Sequence, residues 1–160
     1  MRLSYNFSLW EMTKSQTADR LGINNEPNEA QTENLRLLCK HGLEPVRKHY
    51  SVPIRPSSGF RSAALNEALG SGPNSQHTKG QAADFEVPWV DNMALALWIM
   101  DNVVYDQLIL EYYKEDVPNS GWIHLSYIDP PSKNRRQALI LSRKDLTIFS
   151  SIVFGDIRSM

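Results

Sequence analysis

Apolar residues recur at steps of three and four between residues 35 and 46, and this spacing predicts one face of a helix. The apolar face consists of Leu35, Leu38, Cys39, Leu43 and Val46. Gly42 and Pro45 lie inside the same segment, so we expect them to bend or divide the helix. Residues 93–100 are apolar nearly all round, which predicts a second helix that is buried against a sheet and capped by Asp91.

Two shorter helices are indicated by their capping residues. Residues 15–21 are followed by Gly22, and residues 63–69 are preceded by Ser62 and followed by Gly70. A hydroxyl side chain before a helix and a glycine after it satisfy the backbone groups that the helix ends leave without partners.

Short β-like segments fill most of the remaining chain. We predict a short strand that leads into a tight turn within residues 53–61, and strands over residues 82–87, 107–113, 122–127, 137–142 and 146–154. Together with the helices they predict an α+β fold in which an antiparallel sheet is flanked by helices. The length of 160 residues suits one domain, residues 1–160, and is short for two.

Composition and charge exclude several classes of partner. The formal net charge is −1 and no basic block is present, so we expect no nucleic-acid partner. The longest apolar run, residues 93–100, is too short to span a membrane, and residues 1–8 lack the apolar core of a secretory signal. Cys39 is the only cysteine, and we interpret it as a buried hydrophobic residue. We therefore expect a monomer that is made in the cytoplasm and does not insert into membranes.

Two histidines and one aspartate have the composition of a metal site. His77 and Asp84 lie seven residues apart with small residues between them, and these let the backbone pass close to an ion. His124 follows forty residues after Asp84, inside a strand-like run. Three protein ligands of this kind leave one position on zinc open to water, which is typical of a catalytic site rather than a structural one.

Strand alternation adds a candidate general base. In a hairpin that sets Tyr113 opposite Trp122, Glu111 stands directly opposite His124, whereas a shift of one residue turns Glu111 to the other face. In the first register, Glu111 could take a proton from an attacking water and pass it to the leaving amine.

Arg61 is the cation best placed to stabilise a developing oxyanion or to bind a substrate carboxylate. It follows the tight turn at residues 57–59 and begins a helix, so its position is well fixed. Arg61 could equally cap that helix or pair with Glu67.

Each of the other assignments also has a structural alternative. A histidine between apolar neighbours, like His124, is often a core residue, and Glu111 could be an exposed strand carboxylate. Glu115 and Asp116 lie nearer His124 in sequence than Glu111 does. From the residues alone, a zinc site and a metal-free α+β domain with packed histidines both stay open.

Three short motifs occur in a fixed order along the chain. Residues 58–62 read Ser-Gly-Phe-Arg-Ser, residues 75–84 fit S-x-H-x-x-G-x-A-x-D, and residues 122–124 read Trp-Ile-His. In this order the motifs resemble those of the zinc D-Ala-D-Ala carboxypeptidase family, part of the wider group that includes hedgehog signalling domains. The resemblance runs from about Phe7 to Tyr127 and is greatest for the short, single-domain branch of phage endolysins and wall-trimming enzymes. It implies the zinc peptidase fold that hedgehog domains and DD-carboxypeptidases share.

The resemblance also implies a role for individual residues. His77, Asp84 and His124 would bind one zinc ion per chain, while Arg61 and Ser75 would contact the substrate. The implied substrates are the D-amino-acid peptides of bacterial peptidoglycan, cut at a terminal D-alanine or at an internal bond such as L-alanyl-D-glutamate. An enzyme without an export signal would reach the wall as phage lysins do, after the membrane has been breached.

One position departs from the family pattern. Many members carry the catalytic acid three residues before the last histidine, and this chain has Gly121 there. Glycine cannot accept a proton, so Glu111 takes the role of general base in our interpretation. The departure also leaves a second hypothesis, that of a non-catalytic, zinc-stabilised binding module similar to some hedgehog-like relatives.

Overall fold

The computed structural model describes residues 1–142 and the backbone of residues 148–149. The α-helices in this part of the chain are Leu9–Thr13 (α1), Gln16–Leu21 (α2), Glu29–Leu38 (α3), Glu44–Tyr50 (α4), Ala63–Ala68 (α5) and Asn92–Asn102 (α6). The strands are Ala82–Phe85 (β1), Gln107–Glu111 (β2), Trp122–Ser126 (β3), Gln137–Leu141 (β4) and Ile148–Phe149 (β5). A π-helical turn, Cys39–Leu43, joins α3 to α4, and 3₁₀ turns form at Gln76–Lys79 and Pro131–Lys133.

The strands form one sheet in the order β1-β3-β2-β4-β5. The predicted α+β class is confirmed, but the sheet is mixed rather than wholly antiparallel, because β4 runs parallel to β2. β3 ends beside the start of β2, where Leu108 pairs with Leu125, and the loop at residues 127–136 then passes the residues that precede β2. The backbone N–H of Gln137 donates to the carbonyl of Asp106 at 3.0 Å, so β4 starts at the same end as β2.

The alternation of side chains along β1, β2 and β3 divides the sheet into two faces. One face is buried under helices and consists of Ala83, Phe85, Leu108, Leu110, Ile123 and Leu125. The other face carries the residues at the alternate positions of the same strands, among them Asp84, Ile109 and His124. The apolar face packs against the helices, and the second face can carry a functional site.

The predicted helix at residues 35–46 is divided by the π-helical turn Cys39–Leu43, which ends just before Pro45. Pro45 has no backbone N–H to donate to the preceding turn, and the N–H of Glu44 donates to the carbonyl of Cys39. The π-helical turn that results sets Gly42 against the sheet. A Cβ at Gly42 would lie 3.2 Å from a methyl carbon of Leu125, so the close approach depends on glycine.

The predicted caps Ser62 and Asp91 are confirmed. Their side chains accept hydrogen bonds from the first turns of α5 and α6, and the side chain of Ser15 does the same for α2. Gly22 ends α2 in the left-handed conformation, with φ of 66°. Within the described residues, no helix combines the length and the apolar character that a membrane crossing requires.

Some predicted strands are wrong in extent. Residues 53–61 form no strand, and their only ladder contact is an isolated bridge between Ser58 and Asp84. The strand predicted over residues 82–87 stops at Phe85. The strand predicted over residues 146–154 lies outside the described residues, except for β5, which pairs antiparallel with β4.

Candidate metal centre

Three ligand-type residues reach one point on the open face of the sheet. Asp84 on β1 and His124 on β3 are directly opposite each other, and His77 comes from the 3₁₀ turn just before β1. One nitrogen or oxygen from each side chain lies within 4.8 Å of the other two, and all three residues are buried. The cluster could therefore hold a metal ion.

The carboxylate of Asp84 lies between the two imidazoles. Its Oδ2 is 3.3 Å from Nε2 of His77, and its Oδ1 is 3.0 Å from Nδ1 of His124. Burial alone would raise the pKa of this carboxyl group, but hydrogen bonds to His124 and His77 outweigh burial and hold the pKa well below its usual range. Asp84 is therefore an anion at neutral pH, as a metal ligand must be.

The hydrogen bond made by Nδ1 of His77 decides which nitrogen of the ring is free to bind a metal. Nδ1 of His77 is 2.7 Å from the carbonyl oxygen of Gly59. A carbonyl can only accept, so Nδ1 carries the proton and Nε2 presents its lone pair in the neutral ring. In the neutral ring that lone pair faces the carboxylate of Asp84, so either a proton on Nε2, which makes the hydrogen bond described above, or a metal ion is needed between the two groups. Two imidazole nitrogens and one carboxylate oxygen are a donor set that fits a divalent transition metal.

Arg61 contacts the same carboxylate from the side. Its Nη2 lies 3.4 Å from Oδ2 of Asp84, while Nε and Nη1 donate to the hydroxyls of Ser58 and Ser71 at 3.0 and 3.2 Å. Only 14% of the side chain is exposed. The guanidinium is therefore held in one orientation beside the three candidate ligands. An ion pair with Glu67, the alternative raised from the sequence, is not among its contacts in the described residues.

Glu111 lies next to the cluster on the same face of the sheet. Its half-buried carboxylate accepts a hydrogen bond from the side chain of Trp122 and feels the charges of Asp84, His124 and Arg61. Burial, followed by the negative charge of Asp84, raises the pKa of Glu111 above its ordinary value, although His124, Trp122 and Arg61 lower it in part. A carboxylate with a raised pKa beside a cluster of this kind is suited to proton transfer.

The predicted register of the hairpin is wrong by two residues. Glu111 pairs with Trp122, and Ile109 takes the place opposite His124. The regular ladder ends at Glu111 because Tyr112 and Gly121 both have positive φ, 57° and 69°, so Tyr113 does not pair with Trp122. A shift of two residues preserves the face, and Glu111 stays one pair away from His124 on the same side.

The same turn explains why glycine occupies position 121. A Cβ on Gly121 would collide with the carbonyl oxygen of Glu111 and would lie 2.8 Å from the amide nitrogen of Tyr113. An acidic side chain at this position would also need a left-handed backbone, which L-residues rarely adopt. The carboxylate that the site needs cannot come from this position.

Ser75 lies at the entrance of the 3₁₀ turn that carries His77. Its Oγ accepts a hydrogen bond from the backbone N–H of His77 at 3.3 Å, so it helps to fix that ligand. Ser75 also lines a pocket of about 560 Å³ that has His124 in its wall. Both positions are compatible with the substrate contact expected from the sequence.

Sequence reasoning missed the support behind these residues. The carbonyl of Gly59 and the hydroxyls of Ser58 and Ser71 orient His77 and Arg61. Ser58 and Gly59 lie inside the Ser-Gly-Phe-Arg-Ser motif, which could have indicated their importance, but Ser71 carries no such signal. Cys39 is fully buried and burial raises the pKa of its thiol strongly, which agrees with its predicted inert role.

The fold and the cluster define a class of protein, an α+β domain with a candidate metal centre on the open face of its sheet. A family model described as Peptidase M15 matches residues 5–126, more than half of the chain, and the chain therefore belongs to the Peptidase M15 family. Family membership implies a metallopeptidase. No curated protein matches the chain.

Proposed function

We propose that the protein is a zinc-dependent peptidase that hydrolyses peptide bonds in the stem peptides of bacterial peptidoglycan. The observation that carries the proposal is the convergence of His77, Asp84 and His124 within 4.8 Å of one another in a chain of the Peptidase M15 family. When bound, zinc would lower the pKa of a water molecule and polarise the carbonyl under attack. The ligand set of two imidazoles and one carboxylate favours zinc over calcium or magnesium, which prefer oxygen ligands.

The chain's own residues would supply proton transfer and charge stabilisation. Glu111 accepts the proton of the attacking water and delivers it to the leaving amine, for which its raised pKa is favourable. Arg61, already fixed by Ser58 and Ser71, offers its guanidinium to the oxygen that becomes negative in the transition state. Gly59 holds His77 with Nε2 directed at the cluster.

Two cleavages fit this chemistry equally well. Removal of a terminal D-alanine would make the protein a carboxypeptidase, and an internal cut such as the L-alanyl-D-glutamate bond would make it an endolysin-type endopeptidase. Mass spectrometry of the peptides that the zinc-loaded chain releases from purified wall would identify the bond, because each cut leaves different new termini. Chelator-treated protein is the control. Intact wall after treatment with protein of verified zinc content would overturn the proposal.

A second candidate function follows from the glycine at position 121. A non-catalytic module would bind zinc and wall peptides without cleaving them, because the acid found in many family members is missing. It would retain wall binding, would release no peptide, and would behave identically when Glu111 is replaced by glutamine. The position of Glu111 beside Asp84, His124 and Arg61 favours the enzyme over this alternative.

A further inference from the structure

A pocket of about 560 Å³ opens beside the metal centre on the same face of the sheet. His124 forms part of its wall, and Gln107 and Ile109 of β2 continue that wall away from Glu111. Ser75 and Gln76 close it on the side of the 3₁₀ turn. A peptide bound across His124 would therefore place its next residues in this pocket.

Most of the charged side chains that line the pocket are cationic. Lys79, Lys133 and Arg135 contribute three positive charges, and Asp106 contributes one negative charge. Asp106 is fully buried and already paired, with Nη2 of Arg135 at 2.7 Å from its Oδ2. The two exposed lysines take part in no ion pair among the described residues. The pocket is therefore positive, although the whole chain has a net charge of −1.

The opposite end of the same face carries the carboxylate of Glu111, with the guanidinium of Arg61 near it. Along β2, Gln107 and Ile109 line the cationic pocket, whereas Glu111 lies at the other end of the strand, beyond the row of His124. The cations of the pocket therefore lie at one end of the face only, with the candidate metal ligands between them and Glu111. Cations at one end favour one direction for a bound peptide that carries negative charge on one side only.

Gln76, which lines the pocket, is held in place by Asp106. Nε2 of Gln76 donates to Oδ2 of Asp106 at 2.9 Å, which fixes the amide. The same carboxylate pairs with Nη2 of Arg135, so Asp106 orients two of the side chains that line the pocket.

We propose that this pocket binds a free carboxylate of the substrate peptide through Lys79, Lys133 and Arg135, and so sets the direction in which the peptide crosses the metal centre. The inference rests on the proposed peptidase function and adds the chemical class of the group recognised beside the scissile bond. Within a stem peptide, the carboxylate could be the C-terminal one or the free carboxylate of the D-glutamate residue. Both present the same anion to the pocket, and both are tested separately below.

The test uses three forms of one peptide, L-alanyl-γ-D-glutamyl-L-lysyl-D-alanyl-D-alanine. One form is unmodified, one has a C-terminal carboxamide, and one has a carboxamide in place of the free D-glutamate carboxylate. The zinc-loaded full chain should cleave one of the two amides with kcat/KM about tenfold lower than the unmodified peptide, mainly through KM, because a charge-assisted contact is lost. Cleavage of both amides at the unmodified rate would overturn the inference.

Side-chain variants assign the preference to the pocket. In the Lys79→Gln, Lys133→Gln double variant, the preference for the carboxylate should fall to about twofold or less, since two of the three cations are gone. Lys48→Gln, an exposed lysine on α4 outside the pocket, is the matched control and should keep the full preference. A double variant that discriminates as strongly as the wild type would show that the carboxylate binds elsewhere.

Binding measurements separate this inference from the proposed function. Calorimetry with the Glu111→Gln chain, with and without zinc, reports the affinity for each peptide without turnover. Suppose that the zinc-loaded wild type cleaves no peptide and no wall, but the Glu111→Gln chain binds the unmodified peptide about tenfold more tightly than one of the amides. The peptidase proposal then fails and the carboxylate pocket stands. If wall is cleaved and all three forms bind equally, the pocket assignment fails and the peptidase proposal stands.

Discussion

Nδ1 of His77 lies 2.7 Å from the carbonyl oxygen of Gly59, and this hydrogen bond fixes which ring nitrogen faces Asp84. Gly59 itself approaches helix α1 so closely that a Cβ there would collide with the carbonyl oxygen of Met12. The N–H of the next residue, Phe60, donates to that same carbonyl at 2.7 Å. The orientation of a candidate ligand is therefore tied to the packing of the first helix.

Gly59→Ala should weaken metal binding without touching a ligand. The added methyl group would displace the backbone from Met12, and the carbonyl that holds His77 would move with it. Loss of such an outer hydrogen bond typically lowers metal affinity by about 10- to 100-fold. Competition with a chromophoric chelator measures the affinity, and circular dichroism checks that the variant is folded. Gly72→Ala is the matched control because nothing lies within 4 Å of a Cβ there, and equal affinities in the two variants would contradict the prediction.

Glu111→Gln should abolish most of the peptidase activity and leave the metal bound. The amide is close in size to the carboxylate and keeps an oxygen to accept the hydrogen bond from Trp122, but it cannot take a proton. General-base catalysis of this kind contributes about 10²- to 10⁴-fold, and kcat should fall within that range. Glu115→Gln, on the exposed hairpin loop, should leave kcat unchanged. Full activity in Glu111→Gln would mean that another group accepts the proton.

Much of the site could be predicted from the sequence because strand alternation is a strict rule. Side chains two residues apart on a strand point to the same face of the sheet, so the neighbours that share a face with Asp84 and with His124 follow from the sequence of each strand. Glu111 was placed on the correct face for the same reason, although its partner is Trp122 rather than His124. Within one strand, face depends only on the parity of a position, and that information is local. Glu111 shares a face with His124 because the true register differs from the predicted one by an even number of residues.

The rest could not be predicted because it depends on backbone conformation and on distant contacts. The register of the hairpin is set by the positive φ of Tyr112 and Gly121, and nothing in the local pattern requires Tyr112 to adopt it. The direction of β4 is set by hydrogen bonds from residues 135–137 to the carbonyl of Tyr105 and to the backbone and side chain of Asp106. Residues 53–61 have strand-like composition but form only the single bridge to Asp84, so tertiary context overrides their propensity.

Arg61→Lys should lower the rate even though it preserves the charge. The guanidinium contacts Asp84, Ser58 and Ser71 at once, and a lysine ammonium cannot reproduce that planar arrangement. We expect kcat to fall by about 10- to 100-fold, the lower part of the range for a stabilising donor in the transition state. Steady-state kinetics on wall peptides measures it. The exposed Arg55→Lys is the control, and a rise in KM alone would instead indicate that Arg61 binds the ground state.

Zinc should stabilise the folded chain, and a chelator should reverse the effect. At a free zinc concentration of about 100 times the dissociation constant, binding to the native state adds about 2.7 kcal/mol to the free energy of unfolding. For a chain of this size, that gain corresponds to a rise in Tm of roughly 5–10 °C. Thermal unfolding monitored by circular dichroism, with and without zinc, tests it. Asp84→Asn should show little of the rise, since it lacks the carboxylate that the two imidazoles share.

The stability of the metal-free protein should fall in acid partly because of Asp106. Its fully buried carboxylate accepts hydrogen bonds from Nε, Nη2 and the backbone N–H of Arg135 and from Nε2 of Gln76. Burial raises the pKa of Asp106, but these hydrogen bonds outweigh it and lower the pKa below its ordinary value of 3.8. Since the folded pKa is the lower one, the stabilisation is fully present above the unfolded pKa and is lost as pH falls through the folded value.

Asp106→Asn removes this pH-linked part of the stability. At neutral pH the variant should be about 1–3 kcal/mol less stable than the wild type, because its amide cannot accept every hydrogen bond that the carboxylate accepts. The difference in the free energy of unfolding should narrow as the pH falls below about 4, where Asp106 begins to be protonated in the unfolded state of the wild type while it is still ionised in the folded state. Urea unfolding at a series of pH values, in the presence of chelator, measures both curves. Asp19→Asn, at an exposed position of α2, is the control, and its curve of unfolding free energy against pH should run parallel to that of the wild type. If the gap between Asp106→Asn and the wild type stays constant down to about pH 2, the charge of Asp106 does not stabilise the fold.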